Sequence, residues 1–229
     1  LNREKKLNSD LIDRMKSLEG ELLAMTRIKN SRKSFSIKAV QGIESQATAV
    51  MVASDWHIEE VVLSTQVNDM NVFDKAICAE RVRRFFRHGL KLVEKERHAV
   101  HIDTLVLAMI GDFISGSIHE ELIEGNRLLP IYAIMEVQEY LAAGIQYILD
   151  NSDLKLVIPC HSGNHGRTTR QVHISTEAGN SLERMMYSSI AQRFANEKRV
   201  TFIISEGYHS YLQIYNTTIR FHHGHAVKY

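Results

Sequence analysis

The sequence has little of three features that would each identify a class of protein. It contains only two cysteines, Cys78 and Cys160, and they form no CxxC pair. Two isolated cysteines exclude a disulfide framework and fit a reducing compartment, so we expect a cytoplasmic protein. No apolar run approaches the roughly 20 residues that a membrane-spanning helix needs. The first residues do not form a signal peptide either, and we expect no membrane partner.

An excess of charge of one sign is also missing. The formal net charge is +1, which gives no overall field that would attract nucleic acid or a membrane. A polyanionic substrate would therefore need a local basic patch. The length of 229 residues predicts one large domain, or one domain with an appendage.

A heptad-like stripe occupies the start of the chain. Its apolar residues step by four and three, which predicts a helix over residues 1–30; they are Leu7, Leu11, Met15, Leu18, Leu22 and Met25. Two interpretations stay open, a helix packed on its own domain or a coiled-coil segment that forms a homodimer. Residues 29–47 are polar and rich in Ser and Lys, which predicts a linker with one short strand near Ser36.

From Thr48 onward, short apolar runs alternate with helical stripes. Strands are predicted at residues 48–54, 104–110, 154–159, 200–205, 211–215 and 218–222. Helices are predicted at residues 72–98, 128–151 and 178–197. This alternation favours an α/β fold whose first strands are parallel, and the last two strands are predicted to form a hairpin turned at Asn216 and Thr217.

The domain organisation follows from these patterns. Residues 1–47 form the N-terminal helix and linker, and residues 48–229 form the folded domain. The sequence starts at Leu1 rather than at a methionine and stops after Tyr229 without a recognisable end. We therefore expect further residues before Leu1, and we expect the folded domain to be incomplete at its C-terminus.

Polar side chains follow four of the apolar runs. Asp55 and His57 come after the first, and Asp112 comes after the second. The third closes on Asn164 and His165, and the fourth on a group of histidines at positions 222, 223 and 225. Since ligands bind outside the carboxyl ends of strands in open α/β sheets, we interpret the four sets as one site.

The donor types in this site predict a metal centre. Carboxylate and amide oxygens with imidazole nitrogens, and no thiolate, suit Mn, Fe, Zn or Mg rather than a structural zinc. Two ions roughly 3.5–4 Å apart need a bridging carboxylate, and Asp112 stands alone after a glycine. Gly111, Gly163 and Gly224 are expected to let the backbone approach the metals closely.

The four motifs resemble the first four signature motifs of the calcineurin-like metallophosphoesterase family. They are Asp55-x-His57, Gly111-Asp112, Gly163-Asn164-His165 and His223-Gly224-His225, in the family's order. The resemblance covers residues 48–229. It implies a sandwich of two mixed β-sheets flanked by helices, around a dinuclear metal centre that hydrolyses phosphate mono- or diesters.

The resemblance also implies a ligand set. Asp55 and His57 would hold the first metal, Asp112 would bridge both, and Asn164 and His223 would hold the second. The cofactors would be two divalent ions, Mn²⁺ in the first place, with Fe, Zn or Mg as alternatives. A hydroxide bridging the two metals would attack phosphorus in line.

Five further residues receive roles. By the resemblance, His165 would be catalytic without binding metal: it would protonate the leaving oxygen or stabilise the transition state. His225 would orient a ligand or touch substrate. Two interpretations of Arg167 stay open, a phosphate contact or a solvated charge in a loop. Two also stay open for His119, a residue that lines the pocket or one that starts a helix. Trp56 is expected to pack, with stacking on a base as the alternative.

The sequence departs from the family pattern at two points. The fifth motif, Gly-His-x-His, is absent from these residues, and we expect it after Tyr229. If the chain ended at Tyr229, each metal would lose a ligand. Gly166 stands where many family members carry an acid that orients the histidine, so Glu59 or Asp69 is expected to substitute.

The leading hypothesis is a nuclease-like phosphodiesterase acting on DNA, RNA or nucleotides. It depends on the arginines near the site, a basic linker and the precedent of nucleases with this pattern. A protein phosphatase or a small-molecule phosphoesterase remains an alternative. A further alternative, from another class, is a catalytically inactive relative that serves as a binding or scaffold module; the missing fifth motif favours it.

Overall fold

The computed structural model describes Lys6 and residues 10–16, 35–173 and 176–225. Lys6 and residues 10–16 are helical, and the remainder of the helix predicted over residues 1–30 lies outside the described residues. The homodimer through that helix stays a prediction. Strands and helices alternate through the rest of the chain, which confirms the α/β class.

The chain divides into two compact units. The first comprises Leu1–Lys38 and Tyr211–Ile219, and the second comprises Ala39–Ser210 and Arg220–Tyr229. The division differs from the predicted boundary after residue 47, because a short strand near Ser36 pairs with Gln213 in the last hairpin. Every residue of the predicted site belongs to the second unit.

A four-stranded sheet forms the centre of the second unit. Its strands, in spatial order, are β2 (Ala49–Ala53), β3 (Thr104–Met109), β4 (Lys155–Cys160) and β5 (Val200–Ile204). All neighbouring pairs are parallel. The prediction of two mixed sheets is therefore wrong for this sheet, because a helical crossover between each strand and the next returns the chain to the same end.

A smaller sheet contains β1 (Ser36–Ile37), β6 (Ser210–Ile214) and β7 (Thr217–Phe221), in the order β1-β6-β7. Strand β1 runs parallel to β6, and the two-residue connection between β6 and β7 makes them an antiparallel hairpin. This sheet is mixed, as predicted. The turn falls at Tyr215 and Asn216, one residue earlier than predicted, with Tyr215 at a φ of 53°.

Between residues 35 and 225, the described part of the chain contains four α-helices: α1 (Lys75–Glu96), α2 (Glu120–Gly125), α3 (Pro130–Asn151) and α4 (Leu182–Arg193). The three predicted helices are present but shorter. Asp74 caps α1, Pro130 occupies the first turn of α3, and Ser181 caps α4, so that α4 begins four residues later than predicted. The short helix α2 begins directly after His119, in agreement with one of the two interpretations of His119. Its length was not predicted, because six residues show no clear period.

The core lies between the parallel sheet and its helices. Strand β3 is buried along its whole length, as expected for a central parallel strand. Helices α1 and α3 pack closely, since a Cβ atom placed on Gly144 would lie 2.1 Å from the Phe86 ring. The same core cluster includes residues of β3 and β4, the strands whose ends carry Asp112 and Asn164.

Two other features bear on the sequence expectations. Within the described residues, no helix combines the length and the apolar content needed to cross a membrane. Cys78 in α1 and Cys160 in β4 are both buried and both carry free thiols. The compartment and the sandwich arrangement stay predictions.

Candidate metal centre

Three loops of the predicted site leave the same edge of the parallel sheet. The strand register aligns Ala53 with Met109, and Met109 with Cys160, at the carboxyl ends of β2, β3 and β4. Beyond the strands the pairing continues, since the amide of Asp55 donates to the carbonyl of Gly111 over 3.0 Å. The loops that carry the first three sets of polar side chains therefore lie next to one another.

Two glycines allow the loop after β3 and the loop after β4 to make backbone contact. Gly111 has a φ of +92°, and a Cβ atom there would lie 2.1 Å from the amide nitrogen of Gly163. A Cβ atom on Gly163 would lie 2.0 Å from Oδ1 of Asp112. At both positions the glycine is required for the contact between the loops. Gly224 differs, because a Cβ atom there would have nothing within 4 Å, and the glycine suits its φ of +117°. The approach of the three glycines to metals stays a prediction.

Asp55, His57 and Asp112 form a cluster that could hold a metal ion. One ligand atom of each lies within 4.8 Å of the others. All three residues have a positive φ, of 55°, 44° and 52° respectively, a region that non-glycine residues rarely occupy. Such strain concentrates at functional sites, where the surrounding structure holds it in place. Asp112 is also 4% exposed, so its carboxylate is fixed inside the site.

His223 approaches Asp112 from the fourth motif. Its Nε2 lies 3.0 Å from Oδ2 of Asp112, while its Nδ1 donates to the carbonyl of Ile110 over 2.8 Å. Because the carbonyl fixes the ring, Nε2 is directed at Asp112. The carboxylate of Asp112 thus has the ligand atoms of Asp55 and His57 and the imidazole of His223 as neighbours.

The pair formed by Asp112 and His223 is charged near neutral pH. Burial alone would lower the pKa of His223, but the hydrogen bond and charge of Asp112 and the carbonyl of Ile110 outweigh it and raise the pKa to about 9. Burial alone would raise the pKa of Asp112. Hydrogen bonds from His223 and from the amide of His165 instead hold that pKa below its usual value. A divalent cation would replace the imidazolium proton.

His165 presents one ring nitrogen to the site. Its amide donates to Oδ1 of Asp112 over 2.8 Å, and its Nδ1 donates to the carbonyl of Ser115 over 3.0 Å. Nε2 then lies 4.0 Å from Oδ2 of Asp112. The orienting group is therefore the Ser115 carbonyl and not Glu59 or Asp69, because a backbone carbonyl is already within hydrogen-bond reach.

A hydrogen-bond relay fixes the ring of His57. Its Nδ1 lies 2.9 Å from the hydroxyl of Ser115, which donates to the carboxylate of Glu60 over 2.6 Å. This arrangement leaves Nε2 of His57 for a metal, as hydrogen bonds to the other ring nitrogen do in many metal sites. Sequence reasoning missed Ser115 and Glu60, since they are 55 residues apart and follow no motif.

Asn164 lies in a loop that Arg167 braces. The guanidinium of Arg167 donates to the carbonyls of Asn164, Thr169 and Arg170, over 2.5, 3.0 and 3.3 Å. Arg167 thus stabilises the conformation of the loop, and the structure does not bring its side chain to the cluster of Asp55, His57 and Asp112. The backbone of Asn164 is held beside Asp112 through its neighbour His165. Its role as a ligand stays a prediction.

His119, His225 and Trp56 surround the centre. The ring of His119 is 5.9 Å from that of His165, and His119 precedes the first residue of α2. The ring of His225 is 5.4 Å from that of His223, and its Nε2 bonds Glu177 over 2.9 Å. Trp56 packs edge-on against Phe113, Phe85 and Phe86, with ring centroids 4.9, 5.8 and 6.4 Å away, which confirms its packing role.

An open cleft of about 640 Å³ adjoins the centre on the side of His119. It is lined by polar, basic and apolar residues: Ser117, Ile118, His119, Glu120, Ile123, Arg167, Thr168, Thr169 and Arg170. The loops that carry Asp112 and His165 also form the walls of this cleft. A substrate that extends beyond the scissile group can therefore lie along it.

Comparison with protein-family models, with curated protein sequences and with solved structures returns no match to this chain. The chemistry of the site therefore rests on its donor atoms, distances and charges. The resemblance carried by the four motifs stays a hypothesis.

Proposed function

We propose that this chain is a metal-dependent phosphoesterase that resembles the calcineurin-like family and uses two divalent ions. The observation that carries the proposal is the position of Asp112, within 4.8 Å of ligand atoms on Asp55 and His57 and 3.0 Å from His223. A carboxylate with donors on two sides is what a dinuclear centre needs. Oxygen and imidazole donors favour Mn²⁺, with Fe, Zn and Mg as alternatives.

The residues around this centre have separate tasks in the proposed reaction. When bound, the two cations supply Lewis acidity and a nucleophile derived from water near neutral pH. Asp112 holds the centre together, and Ser115 keeps Nε2 of His57 directed into it. His165, whose Nδ1 proton is committed to the Ser115 carbonyl, presents Nε2 to the leaving oxygen and delivers a proton there.

The substrate we propose is a phosphodiester in DNA or RNA. The support is the cleft beside His119, whose wall includes Arg170 and Thr168. Arginine and threonine side chains are common phosphate contacts in nucleic-acid complexes. The Arg170 side chain forms no ion pair with any residue that the structure describes. A flanking phosphate would supply the missing anion.

Hydrolysis of bis-p-nitrophenyl phosphate with Mn²⁺ tests the proposed activity. We expect Asp112→Asn and His165→Asn each to lose at least about 100-fold in kcat, the range for removing a positioned acid or base. His88→Asn, on the exposed side of α1, is the matched control and should keep wild-type turnover. Turnover that survives Asp112→Asn would refute the metal centre as the source of activity.

The same assay separates the alternatives. A chain that binds Mn²⁺ but hydrolyses neither the small diester nor an oligonucleotide would be a binding or scaffold module. A chain that hydrolyses only the small diester, and leaves single- and double-stranded oligonucleotides intact, would remove the nucleic-acid substrate. Release of nucleotides from an oligonucleotide is the result we expect.

A further inference from the structure

Glu183 is a fully buried carboxylate that the proposed reaction does not use. It lies near the start of α4 and is 0% exposed. Burial raises the pKa of this carboxyl group to about 7, against hydrogen bonds from the backbone that favour its charged form. An acid without exposure is rarely retained unless its oxygens are paired.

Both oxygens of Glu183 accept hydrogen bonds from backbone amides. Oε1 accepts from the amide of Phe113 over 2.8 Å, and Oε2 accepts from the amide of Gly163 over 2.7 Å. Phe113 directly follows Asp112, and Gly163 directly precedes Asn164. The Glu183 side chain therefore joins two loops. One carries Asp112, the proposed bridging ligand, and the other carries Asn164, the proposed ligand of the second metal.

The start of α4 is itself bonded to the loop that follows β4. The amide of Leu182 donates to the carbonyl of Gly166 over 2.9 Å, and the hydroxyl of Ser181 donates to that of Ser162 over 2.7 Å. These contacts hold the backbone of Glu183 at a fixed distance from the loop. The carboxylate is thus presented from an anchored helix end.

Gly166 leaves the room that this carboxylate needs. A Cβ atom at position 166 would lie 2.8 Å from Cγ and 3.1 Å from Cδ of Glu183. A side chain there would push Glu183 away from the two amides. The glycine and the glutamate are therefore a matched pair, although they are 17 positions apart in the sequence (183 − 166).

We propose that Glu183 is the positioning residue of the metal centre, which sets the spacing between Asp112 and the Asn164–His165 loop. Gly111 and Gly163 bring these loops into backbone contact but offer no side chain to hold them there. Without the carboxylate, two buried amides would lose their acceptors. The hydrogen bonds of His165 to Asp112 and to the carbonyl of Ser115 would then have to hold the two loops at their spacing. The inference rests on the proposed metal centre but not on the hydrolysis of phosphate esters.

Glu183→Gln tests the inference with little change in volume. The glutamine amide offers one acceptor oxygen, so its NH₂ group faces either Phe113 or Gly163 as a second donor. We expect Mn²⁺ affinity, measured by calorimetry, to fall about 10- to 100-fold, as it does when outer partners of metal ligands are removed. Amide hydrogen exchange at Phe113 and Gly163 should become faster. Gly166→Ala should change both readouts in the same direction.

Glu136→Gln is the matched control for a purely structural effect. Glu136 is a mostly buried acid in α3 that contacts Arg127, Tyr140 and Lys75, none of which is a proposed metal ligand. We expect this variant to lose stability while Mn²⁺ affinity stays at the wild-type value. If Glu183→Gln behaves in the same way, with unchanged affinity and unchanged exchange at both amides, the inference is overturned.

The outcomes for Glu183 and for the proposed function are distinguishable. A wild-type chain that binds Mn²⁺ without hydrolysing any diester refutes the function, while the affinity of Glu183→Gln still decides the inference. A wild-type chain that binds no Mn²⁺ overturns both.

Discussion

Raising the pH from 7 to 9 without divalent cations should destabilise this protein. His223 is held protonated by Asp112, and its pKa in the folded chain is about 9, against 6.5 for an ordinary histidine. Between these values the folded chain binds a proton that the unfolded chain has lost. The stabilisation from this proton is complete below about pH 6.5 and disappears as the pH passes 9.

The expected loss between pH 7 and 9 is about 2 kcal/mol, obtained by integrating the proton difference for the two pKa values of His223. Three other buried titratable groups change the stability of the fold mainly outside the range from pH 7 to 9. Burial raises the pKa of Glu183 to about 7 and lowers that of His161 to about 4, so both affect stability mainly at lower pH. Burial raises the pKa of Cys78 to about 11, so it acts mainly at higher pH.

Chemical denaturation in a chelating buffer, at half-unit steps of pH, measures this loss directly. For a domain of this length, about 2 kcal/mol corresponds to a fall of about 4–8 °C in Tm. His223→Gln should flatten the dependence, whereas His88→Gln, on the exposed side of α1, should keep it. A wild-type chain whose stability is constant between pH 7 and 9 would refute the charged pair of Asp112 and His223.

Three further predictions concern metal, substrate and core. Binding of Mn²⁺ at pH 7.5 should release about one proton, from His223, and calorimetry in buffers of different ionisation enthalpy will show it; equal heats in all buffers would contradict this. Arg170→Ala should raise KM for an oligonucleotide several-fold and leave bis-p-nitrophenyl phosphate unaffected; equal effects on both would exclude a flanking-phosphate contact. Gly144→Ala should destabilise by about 1–3 kcal/mol, since its methyl would overlap the Phe86 ring, whereas Gly125→Ala, with open space around it, should not.

The sequence predicts the elements of the parallel sheet well. The predicted strands agree with the structure to within one residue at each end. Apolar runs that end on Asp55, Asp112 and Asn164 are easily recognised, because a buried strand is apolar along its length and its polar end marks the sheet edge. The convergence of these ends follows from parallel topology alone.

The contacts that hold the site together were not predictable from the motifs. Glu183 reaches residues 70 and 20 positions away, and Ser115 connects His57 with Glu60 through a hydroxyl. Such contacts depend on how helices and loops pack in three dimensions, and no local periodicity of the sequence indicates them. The start of α4 was likewise misplaced, because the hydroxyl of Ser181 caps the helix after the apolar pattern has already begun.

Crystals grown with Mn²⁺ and measured at the manganese absorption edge test the metal centre most directly. We expect one anomalous peak among Asp55, His57 and Asp112, and a second between Asp112 and His223. Peaks at other places on the chain, or no peak at a saturating concentration of Mn²⁺, would contradict the metal centre and the function proposed from it.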